Sequence, residues 1–227
     1  MTSVKGISTA LMIGTVLGAL LPTHKAQAQT TANASDDTFF ATLGTGASIG
    51  YGKRFNDRWG GRVMLNSGIK ADLDDEKIHG NKYDAKFKSG PGIGVLADFY
   101  PISGSGFRVS GGTFVARHKT EYDGGANAYT FNGHSYSSAQ VGQLEGETKY
   151  RSIAPYLGIG WESGTSSSGW RFTSDLGVKY LGKSSSKLEA SGSATNAMLR
   201  QDLAVERKRF KDDAAELVVN VGVSYAF

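Results

Sequence analysis

The stretch Glu216-Leu217-Val218-Val219-Asn220-Val221-Gly222-Val223-Ser224-Tyr225-Ala226-Phe227 decides the fold. Leu217, Val219, Val221, Val223, Tyr225 and Phe227 share one parity and are all apolar; Glu216, Val218, Asn220, Gly222, Ser224 and Ala226 share the other. Alternation with period two marks a strand whose two faces meet different media. The pattern recurs upstream. Trp170, Phe172, Leu176, Val178 and Tyr180 alternate with Arg171, Thr173, Asp175, Gly177 and Lys179, and Ile153, Leu157, Ile159 and Trp161 with Ser152, Ala154, Gly158, Gly160 and Glu162. Trp59, Val63, Leu65 and Ile69 alternate with Gly60, Arg62, Asn66 and Lys70, and Phe39, Leu43, Ala47, Ile49, Tyr51 and Phe55 with Gly44, Gly46, Ser48, Gly50 and Arg54.

In a soluble sandwich the apolar face is the core and the polar face is wet. Here the polar face mixes glycine, small residues and single charges of both signs. That composition suits the narrow, side-chain-filled interior of a small barrel. The apolar face, with Tyr, Trp and Phe near strand ends, then meets lipid. A closed barrel is the β architecture that leaves no unpaired backbone in hydrocarbon. The expected fold is all-β: a closed antiparallel transmembrane β-barrel.

Composition agrees with this reading. The 227 residues include 31 glycines, 4 prolines and no cysteine, which excludes disulfides, thiolate metal sites and cysteine catalysis. Lys+Arg 25 against Asp+Glu 21 gives +4, too mild and dispersed to indicate nucleic acid. Met1 to Ala28 reads as a cleaved signal peptide: a charge at Lys5, an apolar run from Ala10 to Leu21, Pro22, and an A-x-A site at Ala26-Gln27-Ala28. Its apolar run is shorter than the ~20 residues of a membrane-spanning helix. The expected organisation is signal peptide over 1–28 and barrel over 29–227, with a mature charge of 23 − 21 = +2.

Seven strands are expected, over 39–55, 59–70, 82–100, 106–121, 147–163, 170–182 and 215–227. Bacterial single-chain barrels have even strand numbers, eight at least. The eighth strand comes either from 29–38, the preferred option, or from 184–192. Short connectors at Asn56 to Arg58, Pro101 to Gly106 and Gly164 to Gly169 fit one side of the membrane. Longer polar stretches at Ala71 to Asn81, Asp123 to Gly146 and Lys183 to Asp213 fit the other. The last of these holds a short amphipathic helix: Leu199, Leu203, Phe210 and Ala214 fall at helical spacing, Thr195 or Asn196 can cap its start, and Lys208 with Asp212 and Arg209 with Asp213 are pairs four apart.

Asn220-x-Gly222-x-x-Tyr225-x-Phe227 resembles the terminal signal by which outer-membrane barrels are recognised by their assembly machinery. Gly106 to Gly112 (GFRVSGG), Ala154 to Trp161 (APYLGIGW) and Asp175 to Val178 (DLGV) look like the shared stretches of small proteobacterial outer-membrane proteins, broadly similar to the OmpA-type, OmpX and OmpW barrels. The resemblance covers 39–227. It implies the bacterial outer membrane, with its lipid, lipopolysaccharide and the barrel-assembly machinery as partners. It implies no peptidoglycan-binding domain and carries no catalytic residues.

Candidate chemistry is sparse. Gly46-Ala47-Ser48-Ile49-Gly50 matches the G-x-S-x-G string, but strand alternation runs through it where a nucleophile elbow needs a sharp turn. His24, His79, His118 and His134 show no metal-binding spacing, and no metal or other cofactor is expected. His118 falls on the inward parity; His134-Ser135 faintly resembles the usage of lipid A-modifying barrel enzymes, without a carboxylate close in sequence. The inward parity also collects Arg54, Arg62, Lys70, Asp84, Lys86, Lys88, Asp98, Arg108, Glu162, Arg171, Asp175, Lys179 and Glu216; Lys53 and Arg151 fall on the lipid parity near strand ends, where snorkelling is cheap. Buried charges must pair. They form either a salt-bridged plug that fixes strand register or the gate of a narrow path for ions and small solutes. The expected function is that of a monomeric structural and surface-contact protein without catalysis. The alternatives are a small gated channel and a lipid A- or phospholipid-modifying enzyme.

Overall fold

The computed structural model describes residues 37–78, 81–124, 128–164, 168–209 and 213–227. The expected signal peptide, most of the 29–38 strand candidate, and His24 and His79 lie outside them. The elements run β1 (Asp37–Gly44), β2 (Gly46–Arg54), β3 (Trp59–Asn66), β4 (Ile69–Ile78), β5 (Asn81–Phe99), β6 (Phe107–Gly124), β7 (Tyr129–Phe131), β8 (His134–Tyr136), α1 (Ser138–Val141), β9 (Leu144–Lys149), β10 (Ile153–Glu162), β11 (Gly169–Lys183), β12 (Ser185–Ala190), α2 (Ala197–Arg209) and β13 (Asp213–Ala226).

Eight of the strands form a ring in the order β6-β10-β11-β13-β1-β2-β3-β5, with β5 pairing back to β6. Every pairing is antiparallel, so no strand of the ring has a free edge along its paired length. The missing eighth strand lies within the run 39–55, which is a hairpin and not one strand. Leu43 pairs Ala47 and Gly44 pairs Gly46 across a single turn residue, Thr45. Gly46, at φ 104°, adopts a conformation that a side chain would strain. Because the turn holds one residue, facing partners keep the same parity and the alternation passes through unbroken. The turn is tied to β13, since the Thr45 amide donates to the Val219 carbonyl at 2.9 Å.

Large apolar side chains on the ring point outward. Leu43 is 67% exposed, Leu157 67% and Val221 43%. The end carrying Asp37 and Phe227 is aromatic on its outside: Phe39 stacks on Phe227 at 5.3 Å, Trp59 meets Phe99 at 5.0 Å, and Trp170 meets Tyr225 edge-on at 5.3 Å. Among the described residues no helix is long and apolar enough to cross a membrane.

On the other side the hairpin β5–β6 rises well past the ring. β4 pairs with the early half of β5, β9 with the late half of β6, and β12 with β9, giving a second sheet in the order β4-β5-β6-β9-β12. The stretches expected to be loop (71–81) and alternative ring strand (184–192) supply β4 and β12, the edge strands of this tower. Its inner face packs Tyr83, Leu144, Leu188 and Ala190 against Tyr129, Phe131 and Tyr136 of the β7–β8 hairpin and Leu199 and Leu203 of α2. The helix spans Ala197–Arg209, and Asn196 caps it: its Oδ1 accepts from the Leu199 amide at 3.0 Å. The expected 208–212 and 209–213 pairs fall outside the described side chains.

Where ring becomes tower, the register between β5 and β6 shifts by one at Gly90–Pro91. A bulge of this kind puts two residues opposite one and exchanges the faces beyond it. Asp84, Lys86 and Lys88, expected inside, therefore lie on the outer face, and Lys70, paired with Lys88, joins them.

Candidate functional site: the charged centre of the ring

Inward positions on four strands converge at mid-ring. Arg62 on β3 donates from Nε to Asp98 Oδ2 on β5 at 2.6 Å and from Nη2 to Asp98 Oδ1 at 3.0 Å. The same guanidinium reaches Asp175 on β11, with Nη1 to Oδ2 at 3.0 Å and Nη2 to Oδ1 at 3.1 Å. β3 and β11 stand four places apart in a ring of eight, so Arg62 bridges its full width. Arg108 on β6 donates to Asp175 Oδ1 at 2.9 Å and to Thr173 Oγ1 at 3.0 Å, and Ser110 Oγ donates to Asp98. Two arginines meet two carboxylates with nearly all of their surface buried. Bidentate arginine–carboxylate geometry of this kind is strong and directional.

Further pairs flank this brace. Lys179 donates to Glu216 Oε1 at 2.9 Å, its ammonium lies 4.5 Å from the Phe114 ring centre, and His118 Nε2 is 3.7 Å from Glu216 Oε2. Glu162 accepts from Ser224 and stands 3.9 Å from Arg171, while Arg54 lies 3.8 Å over the Tyr100 ring. Phe40, Met64, Leu96, Phe114, Tyr156 and Val218 form an apolar cluster inside the ring. Tyr156 fits because Gly158 and Gly177 face it; a Cβ at either would overlap its ring. Two voids inside the ring measure about 40 Å³, beside Arg62 and Arg171, and about 10 Å³, beside His118 and Lys179. A void of ~10–15 Å³ is enough to hold one water molecule.

Of the thirteen charges expected inside, nine project into the ring, Arg54, Arg62, Asp98, Arg108, Glu162, Arg171, Asp175, Lys179 and Glu216, while Lys70, Asp84, Lys86 and Lys88 lie on the outer face of the tower. Parity could not say which would pair, since Arg62 and Asp175 are 113 residues apart. Ser110, Thr173 and Tyr156 share the inward parity and were passed over for lack of charge. Of the terminal stretch, Tyr225 and Phe227 are exposed on the outer face, whereas Asn220 and Gly222 face inward on β13.

The remaining candidates divide. Ser48 sits mid-strand in β2 and donates to Asn66 Oδ1 at 2.6 Å. His134, whose sequence neighbours offer no carboxylate, meets one through the fold: its Nδ1 is 2.8 Å from Asp202 Oδ2 on α2. Asp202 also accepts from the Tyr136 hydroxyl at 2.6 Å and from Asn132 Nδ2 at 3.2 Å. These bonds, Tyr136 first and then His134, hold the Asp202 carboxyl below its ordinary range. Burial, reinforced by Asp202, pushes Tyr136 up to about 12. Ser135 pairs elsewhere, its hydroxyl 3.4 Å from Thr130 Oγ1. Among the described residues no cluster of three or more His, Cys, Asp or Glu could hold a metal ion.

Fold and interior together define a class: an eight-membered antiparallel ring, greasy outside and ionic within. Among solved structures the chain is similar to Acinetobacter baumannii CarO2, with 20% identity, a TM-score of 0.54, and coverage of 86% of this chain and 100% of that one. It also matches Acinetobacter baumannii CarO at 20% identity and a TM-score of 0.49, covering 86% and 98% of the two chains. At this identity the first likeness is one of fold. No protein-family model and no curated protein sequence matches the chain.

Proposed function

We propose that this chain is an eight-stranded outer-membrane β-barrel whose work is structural and surface-directed, with a plugged interior in place of an open channel. The inside-out distribution of the ring supports it: large apolar side chains outside, the Arg62–Asp98–Asp175–Arg108 brace across the middle, and voids of about 40 and 10 Å³ beside the charged pairs. Apolar surface of that extent is stable only in lipid. The aromatic end then faces the periplasm and the tower faces outward. Asn220, Gly222, Tyr225 and Phe227 serve as the assembly signal, and residues 1–28 as the export signal.

Refolded protein in planar bilayers tests the plug. No steady single-channel conductance is expected; a stable conductance that changes in Arg62→Gln would replace the structural role with the gated channel. The lipid-modifying alternative draws on the His134–Asp202 contact. It would require altered acyl chains after incubation with lipopolysaccharide, abolished by His134→Ala, and none are expected.

A further inference from the structure

The outer face of the tower is banded by charge. Lys70, Lys88, Lys119 and Lys149 pair in register across β4, β5, β6 and β9, making a transverse row of four lysines. Two residues further out, Asp72, Lys86, Glu121, Glu147 and Lys187 form a mixed row. Beyond it Asp84, Asp123, Glu145 and Glu189 form an acidic one. Like charges directly opposite one another destabilise a sheet. Part of the cost is met by the second row: Lys88 and Lys119 both reach Glu121, the latter at 2.6 Å, and Lys149 reaches Glu147 at 2.8 Å. The two lysines hold the Glu121 carboxyl at about 2.

Cations still exceed anions. Lys70, Lys88, Arg117, Lys119, Lys149 and Glu147, together with the inward-facing His118, line a cleft of about 950 Å³ at the Gly90–Pro91 bulge, and with Glu121 counted the balance of full charges is five to two. Directly below the cleft the ring presents Leu65, Ile93, Val115 and Ile153, paired in one exposed apolar row. Along β6, Arg117 and Lys119 stand two and four residues past Val115, or ~7 and ~13 Å at 3.3 Å per residue. The polar layer of a bilayer leaflet is ~5–8 Å thick, and lysine stems reach back several ångströms. The row therefore lies at the depth of lipid phosphates. At the opposite end the described outer face is aromatic, and Lys53 there is held by Asp37 at 3.0 Å.

We propose that this cleft is a binding site for the phosphate groups of an anionic membrane lipid, whose acyl chains run down the apolar row of Leu65, Ile93, Val115 and Ile153. The site rests on the outer-membrane reading above. Lysines supply point charges to the phosphates, and the acidic row beyond repels any polyanion long enough to climb the tower, so the ligand is a compact headgroup anchored from below. The ion pairs with Glu121 and Glu147 keep the lysines extended in the empty state and exchange for phosphate on binding.

The experiment uses the full chain refolded in detergent and native mass spectrometry with four probes: a bisphosphorylated disaccharide lipid (lipid A), its dephosphorylated form, phosphatidylethanolamine and inorganic pyrophosphate. Wild type should retain the bisphosphorylated lipid about tenfold better than the other three, with retention falling as salt rises. The K70Q/K88Q/K119Q/K149Q variant should lose that preference, and the four lysine-to-arginine replacements should keep it. Equal retention of the dephosphorylated lipid, an undiminished preference in the glutamine variant, or pyrophosphate binding as tight as the lipid would each overturn the site. The difference in gel mobility between boiled and unboiled samples is read alongside. Its presence without lipid preference sinks the site alone; its absence in wild type sinks the membrane reading.

Discussion

Strand β6 passes through two regions that obey opposite rules. In the ring its outward side chains are Phe107, Val109, Thr113 and Val115, and its inward ones are Arg108, Ser110 and Phe114, all buried. Past Val115 the outward series becomes Arg117, Lys119, Glu121 and Asp123, while the inward series leads to Tyr122, packed against the cap formed by the β7–β8 hairpin and α2. The geometry of the strand is unchanged; the solvent outside has changed. Within two residues, apolar surface that lipid rewards gives way to charge that water rewards, and the core moves from an ionic brace with its apolar flank to a cluster of aromatic and aliphatic side chains. The pair teaches that a β-strand has no intrinsic inside, and that the switch from Val115 to Arg117 marks the edge of the hydrocarbon on this side.

Breaking each region on its own terms tests the contrast. Asp98→Ala leaves Arg62 facing only Asp175 across the ring and should cost about 3–5 kcal/mol in urea-dependent folding into vesicles. The Asp98→Ala/Arg62→Leu double variant should recover part of it, by removing the stranded charge. Val221→Arg, on the lipid face, should cost about 2–4 kcal/mol, whereas Arg117→Leu at the base of the tower should stay within about 0.5 kcal/mol. Similar costs for the two would erase the boundary drawn on β6. Asn196→Ala removes the cap of α2 and should cost about 1 kcal/mol, seen as faster hydrogen exchange over 197–209 with the ring amides unchanged.

The smallest effect is a pH dependence confined to the cap. Asp202 titrates below its unfolded value, so its bonds to Tyr136, His134 and Asn132 contribute fully above pH ~4 and are lost as pH falls through the lowered folded value. Protection of the α2 amides, corrected for the intrinsic pH dependence of hydrogen exchange, should fall as pH drops below ~4 while mid-ring amides hold. A uniform fall across ring and cap would mean that the two regions melt as one.

The ring was legible because each of its strands separates two media, and Trp170 to Tyr180 shows this without any structure. The eighth strand was hidden by arithmetic, since a one-residue turn at Thr45 conserves parity. Only length betrayed it: 17 residues is nearly twice the ~9–11 that a tilted membrane strand needs. The bulge at Gly90–Pro91 did the reverse, altering the facing of Lys88, Lys86 and Asp84 without interrupting their alternation. The tower's edge strands β4 and β12 read as loop or spare ring strand because charge occupies one of the tower's faces, and the β7–β8 hairpin and α2 that bury the other come from distant stretches. The members of the central brace followed from parity, but their partners depended on how strands a hundred residues apart are staggered. His134 found its carboxylate only through the docking of α2.

The cap's aromatic core draws on Tyr83, on residues 129–144 and on residues 188–203, and ring strands lie between these segments in the chain. The three cannot all meet until β5, β6, β10 and β11 stand side by side, so the complete cap waits on half of the ring. Tyrosine signals from Tyr83, Tyr129 and Tyr136 would then act as a clock on refolding: their change dates the moment at which that half of the cylinder has come together.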